Sequence, residues 1–245
     1  MEGSVNGECK RCAMAKKESF VTPKMVLMLL VFIVIIPMLP LLISWDWDWW
    51  EAWAYFGFSV LGFIISRSLA GRKHPDLIAE RSKYLEHENP EPWDKQLAPL
   101  LGILGAAIPI TAGLDARFGP SADFGWVFKA AALLFLLASN VLGTAALMAN
   151  RFFSGMVRLQ TERGHHVITL GPYSWVRHPG YLGALLTYIA TPFLLDSWWT
   201  LIPVILTFVL IIVRTRLEDN FLKEALEGYQ DYAQEVRYRL FPGIW

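Results

Sequence analysis

The sequence has little charge and few of the residues that mark common soluble protein classes. Charged residues make up 18% of the 245 residues. A typical soluble domain has about 25%. The apolar share is 54%, so the composition argues against both a disordered chain and an ordinary soluble enzyme. Cys9 and Cys12 are the only cysteines, which is too few for a disulfide framework.

A surplus of positive charge is also missing, as are several well-known catalytic motifs. The 22 basic residues equal the 22 acidic ones, which argues against a nucleic-acid partner. The sequence contains no Walker loop, G-x-G-x-x-G, H-E-x-x-H or G-x-S-x-G. The C-x-x-C at residues 9–12 offers two ligands where zinc needs about four, so we expect a reduced cysteine pair and no metal site.

Long apolar segments are what the chain does have. Residues 25–43 hold no charge over 19 positions, which is long enough to cross a bilayer core. The run ends in the Trp-rich sequence SWDWDWWEAW and not in a small-residue cleavage site, so we expect a retained span. The other predicted spans are residues 52–66, 97–114, 124–149, 180–195 and 198–213, the last two forming a short helical hairpin over 180–213.

The basic residues are distributed unevenly between the connections. Twenty of the 22 lie in residues 1–24, 67–96, 150–179 and 214–245. Six spans place all four segments on one side, and the positive-inside rule makes that side the cytosol. Five spans would leave the basic C-terminal segment outside. The sequence therefore predicts an all-α integral membrane protein with both termini cytoplasmic, in a bacterial inner membrane or the endoplasmic reticulum.

This topology divides the chain into three regions. Residues 1–24 are predicted to be a disordered cytosolic tail, and residues 25–149 four transmembrane helices with a cytosolic loop at 67–96. Residues 150–245 carry most of the polar motifs and include the hairpin. After the hairpin, apolar residues recur at helical spacing, which predicts a cytosolic amphipathic helix at about 217–236.

One candidate site lies in the sequence LGPYSWVRHPGYLG, residues 170–183. Pro179 is suited to the first position of a helix and disfavours helical dihedral angles at His178. Arg177, His178 and the positive end of that helix would converge at the membrane surface, which suits a carboxylate or phosphate. The alternative is that Arg177 only meets lipid headgroups and the nearby tyrosines only anchor the interface.

Further polar residues are expected on the same side. Arg214 and Glu218 are one helical turn apart, so Glu218 either binds hydroxyl or ammonium groups of a ligand or neutralises the helix end. His165 and His166 either extend the pocket or form an exposed pair. Asn150 lies at the cytosolic end of the fourth predicted span, beside the expected site.

These motifs together resemble the C-terminal signature of the isoprenylcysteine carboxyl methyltransferase family and its relatives, the membrane phospholipid methyltransferases. The resemblance covers about residues 160–245, a third of the chain. Family members usually carry two adjacent glutamates, whereas this sequence has Glu218 and then Asp219. The matching segments are LGPY at 170–173, RHPGYLG at 177–183, RLED at 216–219, GY at 228–229 with Tyr232, and FPG at 241–243.

The resemblance implies an integral membrane methyltransferase that uses S-adenosylmethionine and releases S-adenosylhomocysteine. Arg177, His178 and Glu218 would be its catalytic residues. The acceptor would be a lipophilic small molecule or lipidated group: a prenylcysteine carboxylate, a lipid amine or a small thiol. It would arrive from the bilayer near Asn150, Arg151 and Arg214. The implied cofactor-binding residues are Gly171, Tyr173, Arg177, His178, Pro179, Tyr181, Gly183, Glu218 and Asp219.

Two other functions are compatible with the sequence. NADPH-dependent membrane sterol or steroid reductases carry a similar R-H-x-N-Y segment, but with Asn where this chain has Gly180. A nicotinamide phosphate would also favour more basic residues close together. The second alternative is a non-enzymatic, lipid-binding membrane protein, in which Arg177 or Glu218 would have no reason to be kept.

Overall fold

A computed structural model describes residue 27 and residues 30–82, 90–120 and 122–245. The described residues form helices joined by turns, with no strand among them. The predicted tail 1–24, the cysteine pair and the start of the first predicted span lie outside the described residues.

The α-helices are numbered here in chain order. Helix α1 continues a π-helical turn at Val31–Ile35. Two 3₁₀ turns, Thr161–Arg163 and Gly171–Ser174, lie between α5 and α6. The helices are α1 (Ile36–Ser44), α2 (Trp50–Lys73), α3 (Pro75–Ser82), α4 (Asp94–Phe118), α5 (Gly125–Ala149), α6 (Pro179–Leu194), α7 (Leu201–Ala225) and α8 (Tyr229–Glu235).

Three of these helices, α2, α4 and α5, are long and apolar enough to cross a membrane. The apolar helical segment Val31–Ser44 is shorter, as is the 16-residue α6. The prediction of an all-helical membrane protein is therefore confirmed in its coarse form. Helices α1, α6 and α7 occupy the positions of the other three predicted spans.

Two helices continue beyond the apolar runs that predicted the membrane spans within them. Helix α2 extends to Lys73 and so includes Arg67. Helix α7 extends past residue 213 to Ala225 and carries Arg214 and Glu218 with it. A charged residue ends an apolar run without breaking the backbone hydrogen bonds of a helix.

The predicted single amphipathic helix at 217–236 was wrong. Its first half is the end of α7, and its second half is the separate helix α8. Gly228 lies between them with φ +78°, a left-handed conformation that favours glycine. The break turns α8 back over the end of α7.

The helices pack through small residues and several apolar clusters, the largest of which forms the core. A Cβ on Gly113 of α4 would lie 3.1 Å from the Cα of Pro40, so α1 and α4 approach closely. Ser139 of α5 donates a hydrogen bond to the carbonyl oxygen of Gly183 in α6 at 2.7 Å. The core connects α1, α2, α4, α5 and α6 through Leu41, Ala52, Tyr55, Ala112, Ala132, Leu136, Ala190, Leu194 and Leu195.

Polar groups at the end of the bundle away from the candidate site are paired inside the protein. Lys129 of α5 is held within the bundle. Its side chain is 12% exposed and pairs with Glu51 and with Asp196, at 2.7 Å from Asp196 Oδ2. Asp115 accepts a hydrogen bond from Ser197, and Arg117 donates to the carbonyl of Ile43.

Candidate cofactor cleft

An open cleft lies at the end of the bundle where α5 and α7 finish and α6 begins. Its empty space, including open solvent, is about 840 Å³. The predicted site residues that line it come from the α5 end, the segment before α6, and helices α6 and α7: Asn150, Tyr173, Arg177, His178, Tyr181, Arg214 and Glu218.

The local structure around Pro179 is the one that the sequence predicts. Pro179 is the first residue of α6, and His178 has the non-helical dihedral angles φ −125° and ψ 61°. The backbone N–H groups of Tyr181 and Leu182 both donate to the carbonyl of His178, at 3.1 and 3.2 Å. These donors are used within the turn, so they do not face a ligand.

Arg177 is held by the protein itself. Its Nε and Nη2 donate to the two carboxylate oxygens of Asp219, at 2.6 and 3.1 Å, and its Nη1 donates to carbonyls at residues 233, 236 and 237. The side chain is 3% exposed. A bidentate pair of this kind fixes orientation. Only one Nη2 hydrogen is left for a ligand, so the main geometric role of Arg177 is to fasten the C-terminal segment against α7.

Asp219 is the acceptor at the centre of this arrangement. Its carboxylate is fully buried and also accepts hydrogen bonds from Arg239 at 2.9 Å and from Tyr229 at 3.2 Å. Lys223, one turn along α7, pairs with it at 2.9 Å. Asp219 lies behind the wall of the cleft, and two of its partners, Arg177 and Tyr229, line that wall.

His178 presents an unsatisfied polar atom beside the cleft. Its side chain is 5% exposed, and Nε2 has no hydrogen-bond partner among the described residues. The nearest acceptor, Asp219 Oδ1, is 3.6 Å away, which is too long for a hydrogen bond. The ring stacks on Tyr181 with centroids 5.8 Å apart and planes 10° apart. A buried unpaired nitrogen is costly, so this atom is suited to a ligand.

Glu218 and Arg214 have different partners from those expected. Tyr181 donates its hydroxyl to Glu218 Oε2 at 2.5 Å. Arg214 pairs not with Glu218 but with the fully buried Asp94 of α4, through two bonds of 2.7 and 2.8 Å. Because Asp94 neutralises Arg214, the carboxylate of Glu218 faces the cleft without a guanidinium partner among the described residues.

Tyr173 and Asn150 form another part of the wall. Asn150 donates from Nδ2 to the Tyr173 hydroxyl at 3.2 Å, and its Oδ1 accepts from the backbone of Phe152 at 2.8 Å. The hydroxyl of Tyr232 donates to the carbonyl of Tyr173 at 2.7 Å. Burial raises the pKa of both tyrosines, so both remain neutral at physiological pH.

Five predicted site residues do not line the cleft. Gly171 has φ +62° and starts the turn that carries Tyr173. Pro179 and Asp219 are buried structural residues. Gly183 contacts α5. Arg151 instead reaches Asp76 of α3 at 2.8 Å; a hydrogen bond from Arg163 to the same carboxylate lowers the pKa of Asp76 to about 2.

The histidine pair belongs to the cleft. His165 and His166 both line it and both contact the ring of Phe152, with centroids at 4.6 and 5.0 Å. Burial lowers the pKa of His165 to about 4, so its ring is neutral at pH 7. An aromatic wall of this type suits a heterocycle.

Sequence reasoning missed several residues that shape the site. Asp94 lies 120 positions before Arg214, and no local pattern indicates that the two pair. Phe152 belongs to no motif. Tyr229 and Tyr232 also line the pocket. The sequence signal for them was the matched GY segment with Tyr232, which does not by itself predict a position in the pocket. The described residues contain no cluster of side chains that could hold a metal ion.

Comparison with known proteins shows which family this helical cleft resembles. Residues 130–224 match the model of the isoprenylcysteine carboxyl methyltransferase (ICMT) family. This range contains α6, almost all of α5 and α7, and the R-H-P-G-Y segment at the cleft. The match confirms the resemblance stated from the motifs over this part of the chain.

Individual relatives carry the name of a particular enzyme. A "probable protein-S-isoprenylcysteine O-methyltransferase" of Oryza sativa subsp. indica is 32% identical over 127 residues, which is 50% of this chain and 65% of the rice protein. The Saccharomyces cerevisiae protein-S-isoprenylcysteine O-methyltransferase is 35% identical over 108 residues, 42% of this chain and 44% of its own length. The matches therefore span less than two thirds of these relatives.

Proposed function

We propose that this protein is an integral membrane methyltransferase that uses S-adenosylmethionine to methylate a lipophilic acceptor. The observation that carries the proposal is the cleft at the R-H-P-G-Y segment, where the unpaired Nε2 of His178 and the carboxylate of Glu218 meet an aromatic wall. The family match over residues 130–224 supports the same function.

The donor set fits the three parts of this cofactor. His178 Nε2, as an N–H donor, would bind the carboxylate of the methionine moiety, with the remaining Nη2 hydrogen of Arg177 beside it. Glu218 would accept from ribose hydroxyls or pair with the ammonium group. Phe152 and His165 would stack on the adenine. Gly171, Tyr173 and Asp219 would contribute by holding these cleft residues in position.

The chemistry needs alignment more than proton transfer. When bound, S-adenosylmethionine supplies a methyl group on a sulfonium: the acceptor atom bonds to the carbon while the S–C bond breaks and its electron pair stays on the neutral thioether. The protein's residues position the two reactants and exclude water. An amine acceptor would also have to lose a proton, for which Glu218 or His178 is the candidate base.

The six-span topology is part of the proposal. Seven of the eight exposed tryptophans among the described residues lie where the turns between α1 and α2 and between α6 and α7 meet the start of α5, at the end opposite the cleft. Trp50 and Trp126 stack there, with ring centroids 5.4 Å apart. The eighth, Trp175, is exposed at the cleft end. Indole belts are typical of membrane interfaces. The cleft end, with both termini, then faces the cytosol, and residues 150–245 form the cofactor-binding region.

Binding measurements on the full chain in lipid nanodiscs test the function. We expect S-adenosylmethionine and S-adenosylhomocysteine to bind by calorimetry and NADPH not to bind. His178→Ala and Glu218→Gln should each weaken binding at least tenfold, while the exposed Arg216→Gln on the same helix should not. NADPH binding would favour the reductase, and binding of neither cofactor would favour a non-enzymatic protein.

Methyl transfer from labelled cofactor tests the acceptor. The acceptors to compare are a prenylcysteine carboxylate, a phospholipid amine and a small thiol. Transfer to one of them that Glu218→Gln and His178→Ala both diminish supports the proposal. Cofactor binding with no transfer to any lipophilic acceptor would contradict it.

A further inference from the structure

The FPG motif lies in a segment to which the proposed function gives no role. After α8 the chain turns back along α7 and forms a compact turn over residues 239–245, which we call the FPG turn. Arg239 donates from Nε to Asp219 Oδ2 at 2.9 Å. The ring of Phe241 stacks on that of Phe208, with centroids 6.2 Å apart and planes 21° apart. The chain therefore passes from the charged end of α7 toward its apolar middle.

Helix α7 shows how deep the Phe241 contact lies. The apolar residues Val209 and Val213 are exposed along one side of this helix, and the exposed Arg216 follows them toward the cleft end. This change from apolar to basic side chains marks the level at which the helix would leave the acyl region of a bilayer. Phe208 lies eight residues before Arg216, about 12 Å further along the helix. Phe241 thus contacts α7 below the proposed membrane surface.

Helix α6 gives a similar depth for the turn. Leu240 is fully buried and forms one apolar cluster with Leu185 of α6 and Ile211 of α7. Trp245 packs against the same cluster. Leu185 lies six residues after Pro179, the first residue of α6, and is therefore about 9 Å along the helix from the cleft end. The FPG turn consequently rests on residues of the two proposed spans and not on their cytosolic ends.

The backbone of the FPG turn forms many of its hydrogen bonds internally. A main-chain oxygen of Trp245 accepts from three successive N–H groups, those of residues 239–241, at 3.0–3.1 Å. The carbonyl of Phe241 accepts from the N–H groups of Ile244 and Trp245, each at 3.1 Å. The acyl region of a bilayer excludes backbone whose polar groups are unpaired. A turn that pairs five of its N–H groups in this way is suited to the boundary of that region.

The FPG turn also has an exposed apolar tip. Ile244 is 83% exposed, whereas Leu240 of the same turn is fully buried. On the other side, the guanidinium carbon of Arg239 lies 5.1 Å from the centroid of the Trp245 ring. Indole and guanidinium groups are typical of the headgroup level, and apolar side chains of the acyl boundary below it. The turn therefore has the polarity of a segment that lies in a lipid leaflet.

We propose that the FPG turn re-enters the cytosolic leaflet of the membrane, with Ile244 among the acyl chains of the lipids. The proposal rests on the six-span topology given above. The turn also connects the bilayer to the cofactor cleft, because the N–H groups of Arg177 and His178 donate to the carbonyls of residues 238 and 239, both at 2.9 Å. These bonds hold the backbone just before α6, so the lipid contact stabilises the wall that presents His178 Nε2.

Spin labels on single cysteines test the insertion, with the full chain in lipid nanodiscs. In a Cys9→Ser/Cys12→Ser background, the label is attached in turn to Ile244→Cys, Val209→Cys and Gln230→Cys. Molecular oxygen concentrates among acyl chains, whereas a nickel chelate stays in water. At Ile244→Cys, as at the lipid-facing Val209→Cys, collisions with oxygen should exceed those with nickel at least threefold. At Gln230→Cys, which is exposed on α8, nickel collisions should dominate.

The other outcomes of the label experiment would overturn the insertion. A label at Ile244→Cys that collides mainly with nickel would place the turn in water. A label shielded from both reagents would show that protein covers the position, either a second copy of the chain or a partner. A label at Val209→Cys that collides mainly with nickel would instead refute the six-span topology on which the proposal rests.

Cofactor binding tests the connection to the cleft. Ile244→Asp would place a charge among the acyl chains and so expel the turn from the leaflet. In nanodiscs we expect it to weaken S-adenosylmethionine binding at least fivefold by calorimetry. Ile244→Leu should leave binding unchanged, as should Gln230→Asp, which adds the same charge on the exposed side of α8.

Unchanged binding in Ile244→Asp would refute the connection between the turn and the cleft. If Ile244→Asp does not fold, the polar but uncharged Ile244→Gln replaces it and should show a smaller loss in the same direction. A wild-type protein that binds no S-adenosylmethionine would fail the proposed function, and the label experiment would still decide where the turn lies.

Discussion

The pair formed by Asp94 and Arg214 connects α4 to the cleft wall, and Asp94→Asn tests its importance. Asp94 accepts two bonds from Arg214 and one from the backbone N–H of Val157 at 2.6 Å, with no exposure to solvent. The substitution replaces one acceptor oxygen by an NH₂ donor. Arg214 then keeps the carbonyl of Gly155 but loses its counter-ion. The loss of the counter-ion and the N–H donors that now face each other both destabilise the folded protein.

The expected loss is large for a single substitution. Breaking a buried ion pair by removing one partner costs about 3–5 kcal/mol, because the other charge remains buried without compensation. A protein of this size shifts its melting temperature by about 2–4 °C per kcal/mol, so the expected drop is about 6–20 °C. Asp76→Asn is the matched control. Asp76 also pairs with arginines, but its side chain is 39% exposed, and surface pairs contribute about 0–1 kcal/mol.

Unfolding in mild detergent, followed by tryptophan fluorescence, provides the measurement. The double variant Asp94→Asn/Arg214→Gln separates the pair from its surroundings. If the buried charge is the cause, the double variant will lose clearly less stability than the two single losses added together. Additive losses, or a drop for Asp94→Asn no larger than for Asp76→Asn, would refute the reasoning.

Three further predictions concern other parts of the fold. Gly171→Ala should cost about 1–2 kcal/mol in denaturant unfolding, because the position has φ +62°; Gly102→Ala, in open space within α4, should not destabilise. The pKa of His165 is lowered from 6.5 to about 4, so the unfolded chain binds more protons between these values and stability falls as the pH drops through that window. His165→Asn should flatten the melting temperature between pH 4 and 6.5; an unchanged slope would count against the burial of this ring. Lys129→Met should cost about 3–5 kcal/mol, since Glu51 and Asp196 lose their shared cation; a loss under 1 kcal/mol in thermal unfolding would show that water already solvates them.

Local sequence patterns predict much of the helical framework correctly. The apolar runs correspond in position to six helices because a bilayer-length run is continuous in sequence. Pro179 begins α6 as predicted, since a proline ring acts on its own turn and on the preceding residue. Helices α2 and α7 continue past the ends of the predicted spans at Arg67 and Arg214, because a charged side chain inside the protein does not end a helix when tertiary contacts accommodate it.

The sequence by itself determined the helical class, the uneven distribution of basic residues and the motif segments that meet at the cleft. Each of these depends on the spacing or identity of neighbouring residues. The tertiary structure decided which charges pair: Arg177 with Asp219, Arg214 with Asp94, and Arg67 with no described carboxylate. These outcomes depend on distances of a few ångströms between helices that are far apart in the chain. Electrostatic energies change steeply over such distances when water is excluded, and no local pattern encodes them.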